Sequence, residues 1–527
     1  MTLLLPILVV AINYFRLPQT FWQQDEWAAF GAAILFWQRS FPLVSLFTSS
    51  SGVHITPLSD LIFFAAYHFF GLNFANFAWA SLILHFFNSM LVYYLARLLF
   101  KKKWLALTAA LLFAGSSLAH QAVTWLSTSA NTQGAALFIL LAMILILKKR
   151  PWWAFFALFL ALGFKETGAF LFILLPILYF SKKILAPWLT LVAFYFGMRV
   201  WLLFNTVAPL SQTAGLTQPV KTTYLYRLVF LPIRIIPQSF ISAGQIIRWA
   251  QGLVRQVYPH YLVNGGVPNP FVVESIAFDF VCFLFLLLFL LISLKFFKKS
   301  RVFWLSASLI ILSGLPLIFI PGRAGYVSML EPRHLYLAGI GSSLILAMLL
   351  TRLKNKVLIF LALILILFSH GRIIQHDFDS LLANSRLRKS ILTQIKSEHP
   401  TLPEKVIFYT ESDTAYYGLA DEEKILPFQS GLGQTLLVWF YDAEKFPPCF
   451  YEDVFLYKIE SQGYRECQGR GFGYFRKYDD LLMTLQQKHL PAESVIAYRF
   501  SSQDNSLVDT SQEVWHELKA SSFAAGL

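Results

Sequence analysis

Charge is what this chain most lacks. Only 14% of its 527 residues are Asp, Glu, Lys or Arg, against roughly 25% in an ordinary soluble domain. No basic patch is concentrated on a polar stretch, which argues against a nucleic-acid partner despite the net charge of +14. Cysteine is scarce too, with three residues. Cys282 lies in an apolar block, and Cys449 and Cys467 lie in the polar tail. Those two could pair if the tail is extracytoplasmic, or stand as separate thiols. The first apolar segment has neither a basic n-region nor a small-residue cleavage site, so it reads as an anchor rather than a cleavable signal. Beyond about Gly371 there is no 34-residue helical repeat.

What the chain has in abundance is apolar surface. Hydrophobic residues make up 57%, with 52 Phe among them. Up to about Gly371 they form long blocks, many near the roughly 20 residues a hydrocarbon core requires. Apolar segments fall at about 1–15, 75–100, 104–119, 128–147, 151–164, 168–180, 183–204, 275–297, 302–320, 334–351 and 356–370. Basic clusters punctuate them: Lys101-Lys102-Lys103, Lys148-Lys149-Arg150, Lys182-Lys183, Lys298-Lys299-Ser300-Arg301 and Arg352-Leu353-Lys354. Under the positive-inside rule these clusters mark cytoplasmic loops. Eleven crossings then leave the N-terminus inside and the tail outside.

Two further apolar stretches, Trp27–Trp37 and His54–Phe74, are excluded from the count. The first is too short. The second carries Pro57 and Asp60, and counting it would turn every later basic cluster outward. Both read as helices in or near the outer interface. The expected architecture is therefore an α-helical polytopic membrane protein of about eleven transmembrane helices over residues 1–371, followed by a small extracytoplasmic α/β domain over 372–527. In that tail Val406–Tyr409 and Val495–Tyr498 read as strands and Asp479–Lys488 as a helix.

Four polar places fall on the outer side of this topology. Asp25 and Glu26 follow the first span and could supply a general base or a metal ligand, or be plain solvated polarity at a helix end. His54 opens the interfacial stretch; beyond it His85 and Asn88, at i and i+3, share a face of the second span and read as partners in helix-to-helix hydrogen bonding. Lys165-Glu166 forms a turn between two short apolar blocks. There an anionic ligand would explain the Lys, as would a Lys snorkelling to water. Arg323 and then Glu331-Pro332-Arg333-His334-Leu335-Tyr336 lead into the tenth span, and Arg on this side calls for an anion. In the loop 205–274, Arg227 and Arg234, then Arg248 and Arg255, share helix faces and read as contacts to lipid headgroups.

Taken in order, these residues resemble the GT-C-type polytopic glycosyltransferases, nearest the transmembrane O-mannosyltransferases that carry tetratricopeptide repeats and related bacterial sugar transferases. The resemblance is carried by Asp25-Glu26, His54-Ile55-Thr56-Pro57-Leu58-Ser59, Phe70-Gly71-Leu72-Asn73 and His85-Phe86-Phe87-Asn88. It continues through Leu111–Ala114, His120–Ser127, Lys165-Glu166-Thr167-Gly168 and Glu331–Tyr336. It implies transfer of a sugar from a polyprenyl-phosphate donor to an envelope glycan, lipid or protein acceptor on the extracytoplasmic face, with inversion at the anomeric carbon. Asp25 would be the general base and Glu26 would assist it. His54, Lys165, Glu166, Arg323, Glu331, Arg333, His334 and Tyr336 would form the substrate site, with Lys165, Arg333 and His334 on the lipid phosphate. Members differ in needing a divalent metal, so magnesium or manganese is left open. Gln121 stands where the family has an acidic residue, and no metal or second-acid role carries over to it. The missing repeat means that the acceptor-binding inference does not carry over either. The competing class is a transporter or lipid flippase, which would place charged sites near the bilayer midplane between repeated halves. A non-catalytic envelope scaffold ranks third.

Overall fold

A computed structural model describes residues 4–23, 25–47, 55–178, 182–205, 224–257, 270–319, 330–414, 427–428 and 432–524. Of the proposed site residues, His54 and Arg323 lie outside this set. The chain packs as two compact units. The first comprises Met1–Leu17, Leu46–Ser59 and Phe77–Phe378; the second comprises Pro18–Ser45, Asp60–Asn76 and Asp379–Leu527.

The first unit is helical. Among the described residues, seven helices are long and apolar enough to cross a membrane: Phe74–Phe100, Leu126–Leu147, Ile184–Trp201, Val273–Phe297, Arg301–Ile318, Pro332–Leu353 and Lys356–Glu398. All seven coincide with expected spans. The other four expected spans form shorter apolar helices, Leu4–Tyr14, Lys103–Ala114, Pro151–Phe164 and Leu171–Leu178. At about 1.5 Å per residue, a 14-residue helix reaches some 20 Å, short of a hydrocarbon core of about 30 Å. The seven long helices are therefore what the structure supports, rather than eleven.

The basic clusters also build the turns. After Leu126–Leu147, the Lys149 N–H bonds to the Ile146 carbonyl (3.0 Å) and the Arg150 N–H to the Leu145 carbonyl (2.9 Å). This closes the helix with Lys149 in the left-handed region (φ 57). Pro151, at the first position of the next helix, cannot continue the old one and has its φ preset for the new. Gly341 lets Arg301–Ser313 and Tyr336–Leu350 approach closely, since a Cβ there would strike the Ser306 carbonyl. Arg234, expected to face lipid headgroups, is instead buried and pairs with Asp279 at 3.1 Å. A guanidinium leaves water cheaply only with an anion beside it. Arg248 stays exposed and bonds Gln245 on its own helix, whose buried face is Ile246, Ala250 and Val254.

The second unit is built on a five-stranded sheet. Its strands are β1 (Lys405–Ser412), β2 (Gly463–Cys467), β3 (Arg470–Phe475), β4 (Val495–Ser501) and β5 (Ser506–Asp509), in the order β2-β3-β1-β4-β5. β1 runs parallel to β3 and β4, while β2 and β5 are antiparallel edges. Val406–Tyr409 are buried on both faces, as a central parallel strand must be. Ile407 and Tyr409 pack with Leu481, Leu485, Val514 and Leu518 of two helices. On the other face Phe408 meets Phe440 and Phe472. Gln468 and Gly469 (φ 51 and 80) form the two-residue turn from β2 to β3. Cys449 and Cys467 are joined by a disulfide that ties down the edge strand.

This unit also takes in Trp27–Trp37 and, from Asp60 on, most of His54–Phe74, the two stretches expected to be in-plane helices of the membrane domain. The helix Glu26–Trp37 lays Gly31 against Leu456, and Gln38 Nε2 donates to the Phe446 carbonyl at 3.2 Å. Trp22 Nε1 donates to the Leu72 carbonyl at 3.1 Å, with its ring among Phe30 and Phe74. Trp27, Phe30, Phe63 and Phe64 are buried against protein, while Trp37, Ile62 and Phe69 remain exposed. The unit boundary therefore differs from the 371/372 division, and the helix Lys356–Glu398 runs unbroken past it.

Candidate functional site: a buried cation cluster in the helical unit

The turn after Pro151–Phe164 sets Lys165 in extended backbone, followed by the tight helix Glu166–Phe170. Its side chain is buried, 5% exposed. Lys165 Nζ donates to Thr132 Oγ1 at 2.8 Å, and among the described residues Lys165 forms no salt bridge. Thr132 Oγ1 gives its own proton to Asn131 Oδ1 (3.0 Å), so its lone pairs face the ammonium. One of three ammonium donors is thus used. Burial pushes the Lys165 ammonium down to about 8; the Glu166 and Glu331 carboxylates oppose that shift and Arg333 adds to it. These mutual influences place the Lys165 turn and the Glu331–Arg333 segment in one electrostatic neighbourhood.

Arg333 lies in the short helix Pro332–Leu335, with Glu331 just ahead of it. Its guanidinium pairs with Glu331 at 2.5 Å and lies over the Trp125 ring, 4.4 Å from the centroid. His334 Nε2 is 3.7 Å from the same Glu331 oxygen. Glu166 pairs with Arg199 at 3.7 Å. The cluster therefore holds Lys165, Arg199 and Arg333 against two carboxylates, an excess of positive charge before His334 is considered.

Tyr336 is placed otherwise. It is 1% exposed, and its hydroxyl stands 2.7 Å from His85 Nδ1 and accepts from Asn88 Nδ2 at 3.2 Å. His85 Nε2 faces the Ala114 carbonyl (3.2 Å) and so carries the ring proton, which leaves Nδ1 to accept from Tyr336. This is helix-to-helix hydrogen bonding of the kind anticipated for His85 and Asn88.

Asp25 and Glu26 belong to the second unit. Asp25 is exposed at the start of Glu26–Trp37 and makes no side-chain capping bond. Glu26 is fully buried and accepts the Gln23 backbone N–H at 3.3 Å. Among the described residues no three His, Cys, Asp or Glu side chains are arranged to hold a metal ion. The described residues thus do not form a resident metal site, and no step is assigned to one.

Sequence reasoning did not single out Thr132, Trp125 or Arg199 as members of the site. Arg199 offered a signal, a cation inside an apolar segment; Thr132 offered none. Nor did it find that His120 Nε2 pairs with Asp377 at 3.2 Å or that Ser117 Oγ meets His370 Nδ1 at 2.7 Å. Compared with known proteins, the chain matches no protein-family model, no curated protein and no solved structure.

Proposed function

We propose that the chain is a GT-C-type glycosyltransferase that moves a sugar from a polyprenyl-phosphate donor to an extracytoplasmic acceptor. The observation that carries this reading is Lys165: a buried ammonium held by one neutral hydroxyl, beside Arg333, in a unit of apolar helices. A cation in such surroundings is costly unless an anion completes it. A phosphate on a lipid tail supplies both the anion and the apolar body that such helices accommodate. The Cys449–Cys467 disulfide and the positive-inside clusters support an extracytoplasmic tail.

In this mechanism the acceptor oxygen attacks the anomeric carbon on the face opposite the phosphate. Its proton passes to a general base, the role that the resemblance gives to Asp25. The bond between the anomeric carbon and the phosphate oxygen breaks, and its electron pair leaves with the polyprenyl phosphate. Lys165 and Arg333 stabilise the charge that grows on that oxygen, in low-dielectric surroundings where fixed cations count most. Glu26, bonded to the Gln23 N–H, orients the base.

The test is sugar transfer from undecaprenyl-phosphate hexose to an envelope extract by the purified full chain and its Asp25→Asn and Arg333→Ala variants. Both variants are expected to lose about a hundredfold or more in rate. Folded variants with undiminished transfer would sink the assignment. A second reading, a transporter or lipid flippase, rests on the Arg234–Asp279 ion pair, because Asp279 lies inside the span Val273–Phe297. Substrate uptake into vesicles with no transfer from any lipid-linked donor would favour it.

A further inference from the structure

Among the described residues, the indole Nε1 of Trp125 and the guanidinium Nε of Arg333 are buried in the cation cluster with no hydrogen-bond partner. They belong to side chains already in contact, since the guanidinium lies over the indole ring. Buried donors are almost always satisfied, and an unsatisfied one costs a full desolvation penalty. Two such donors on touching side chains, near a Lys165 ammonium with two donors to spare, make a patch rich in N–H beside the Glu331 carboxylate. Among the described residues the acid paired with Arg333 is Glu331, which meets Nη2 and leaves Nε unengaged.

We propose that Trp125 is a ligand-binding residue of this patch, its ring face seating Arg333 and its indole N–H donating directly to an oxygen of the anionic group. The ligand chemistry is a phosphate ester oxygen. An indole N–H is a donor only and never a charge, so it adds direction where Lys165 and Arg333 add attraction. The inference rests on the anion-binding reading of the cluster. It assigns to Trp125 a role that ring packing alone would not require.

The test uses the full chain in detergent, with farnesyl phosphate, farnesol and inorganic phosphate as probes. Trp125→Phe keeps a ring for Arg333 and removes the N–H. It is expected to weaken farnesyl phosphate binding about tenfold to a hundredfold, the range for a hydrogen bond to a charged acceptor, and to leave farnesol binding unchanged. Trp125→Leu, which removes the ring as well, is expected to lose more. Unchanged farnesyl phosphate affinity in a folded Trp125→Phe protein overturns the inference while leaving the proposed function standing. Equal losses for farnesyl phosphate and farnesol also overturn it, because they report a packing role. Native protein that binds inorganic phosphate but not farnesyl phosphate, with the same Trp125→Phe loss, supports the donor and overturns the lipid-linked reading. Native protein that binds neither anion overturns both. If Trp125→Phe melts below the native protein, the comparison is made with Trp125→Tyr, whose displaced hydroxyl is expected to restore part of the lost phosphate affinity and none of the farnesol affinity.

Discussion

Two buried charges, one in each unit, are answered in opposite ways. In the second unit, Glu444 is nearly inaccessible, yet one oxygen pairs with Arg470 at 2.5 Å and the other accepts the Leu402 N–H at 2.8 Å. In the first unit Lys165 is as deeply buried, and among the described residues its ammonium bonds one hydroxyl and no carboxylate. The former arrangement is complete within the chain. In the proposed function an anion completes the latter. A charge whose partners are internal serves the fold, and a charge left short of partners marks where a ligand goes.

The sharpest way to break this comparison is to remove each charge. Lys165→Met is expected to cut anion binding and sugar transfer by about a hundredfold or more. It should leave the melting temperature unchanged or raised, since a buried cation is exchanged for an apolar group of similar length. Glu444→Ala should do the reverse, costing the second unit about 2 kcal/mol by denaturant titration, a buried-pair loss discounted for the partial exposure of Arg470. A Lys165→Met protein that unfolds early, with normal transfer, would make Lys165 a structural residue.

Next in size is the disulfide. Cys467→Ser opens an 18-residue loop in the second unit and is expected to cost about 3 kcal/mol. Limited proteolysis should find the new cleavages in that unit and none among the long helices. Cleavage spread over both would refute two independently held units.

A pH titration separates binding from stability at one residue. The Lys165 pKa in the folded chain, about 8, lies below that of a free lysine. Its positive charge is present below pH 8 and lost above it, so anion affinity should fall as pH rises through 8, by at most about tenfold per unit. Between that value and the free-lysine value the unfolded chain binds more protons. The stability of ligand-free protein should therefore rise with pH over the window in which affinity falls. Affinity and stability moving in the same direction would remove Lys165 as the titrating group. Lys165→Met should abolish both trends.

The smallest expected effect is the same in both units. Lys149 and Gln468 hold positive φ at a helix end and a hairpin turn. Lys149→Gly and Gln468→Gly should each stabilise by about 0.5–1 kcal/mol or be neutral, as glycine meets no Cβ penalty there while loosening the unfolded chain. A loss above about 1 kcal/mol at either site would mean that the side chain itself is bonded in the native protein.

Much of the local structure was legible. Val406–Tyr409 and Val495–Tyr498 are strands and Asp479–Lys488 lies within a helix, because short apolar β-formers and amphipathic spacing report local conformation directly. Seven of the eleven apolar segments are long helices for the same reason. The other four form shorter helices, the chain turning at Gly115 and at Lys165. The packing of Glu26–Trp37 was illegible because an apolar helix face looks alike whether lipid or protein will cover it. Lys165 and Arg333 were each marked as anion-seeking by residue type, and only the family resemblance, not their spacing, put them in one site. Thr132, a hydroxyl in an apolar helix, reads as packing, and Trp125, between two helices, was quoted in the resemblance without a role of its own.

By itself the sequence determined a chain of apolar helices capped by basic turns, with a small α/β domain at its end, because helix length, periodicity and capping depend on residues a few positions apart. Only the tertiary structure decided which buried charges are answered within the chain, which unit the first-loop helices join, and that Lys165, Trp125 and Arg333 form one donor-rich cluster. Those outcomes depend on contacts between residues far apart in the chain, which local spacing does not encode.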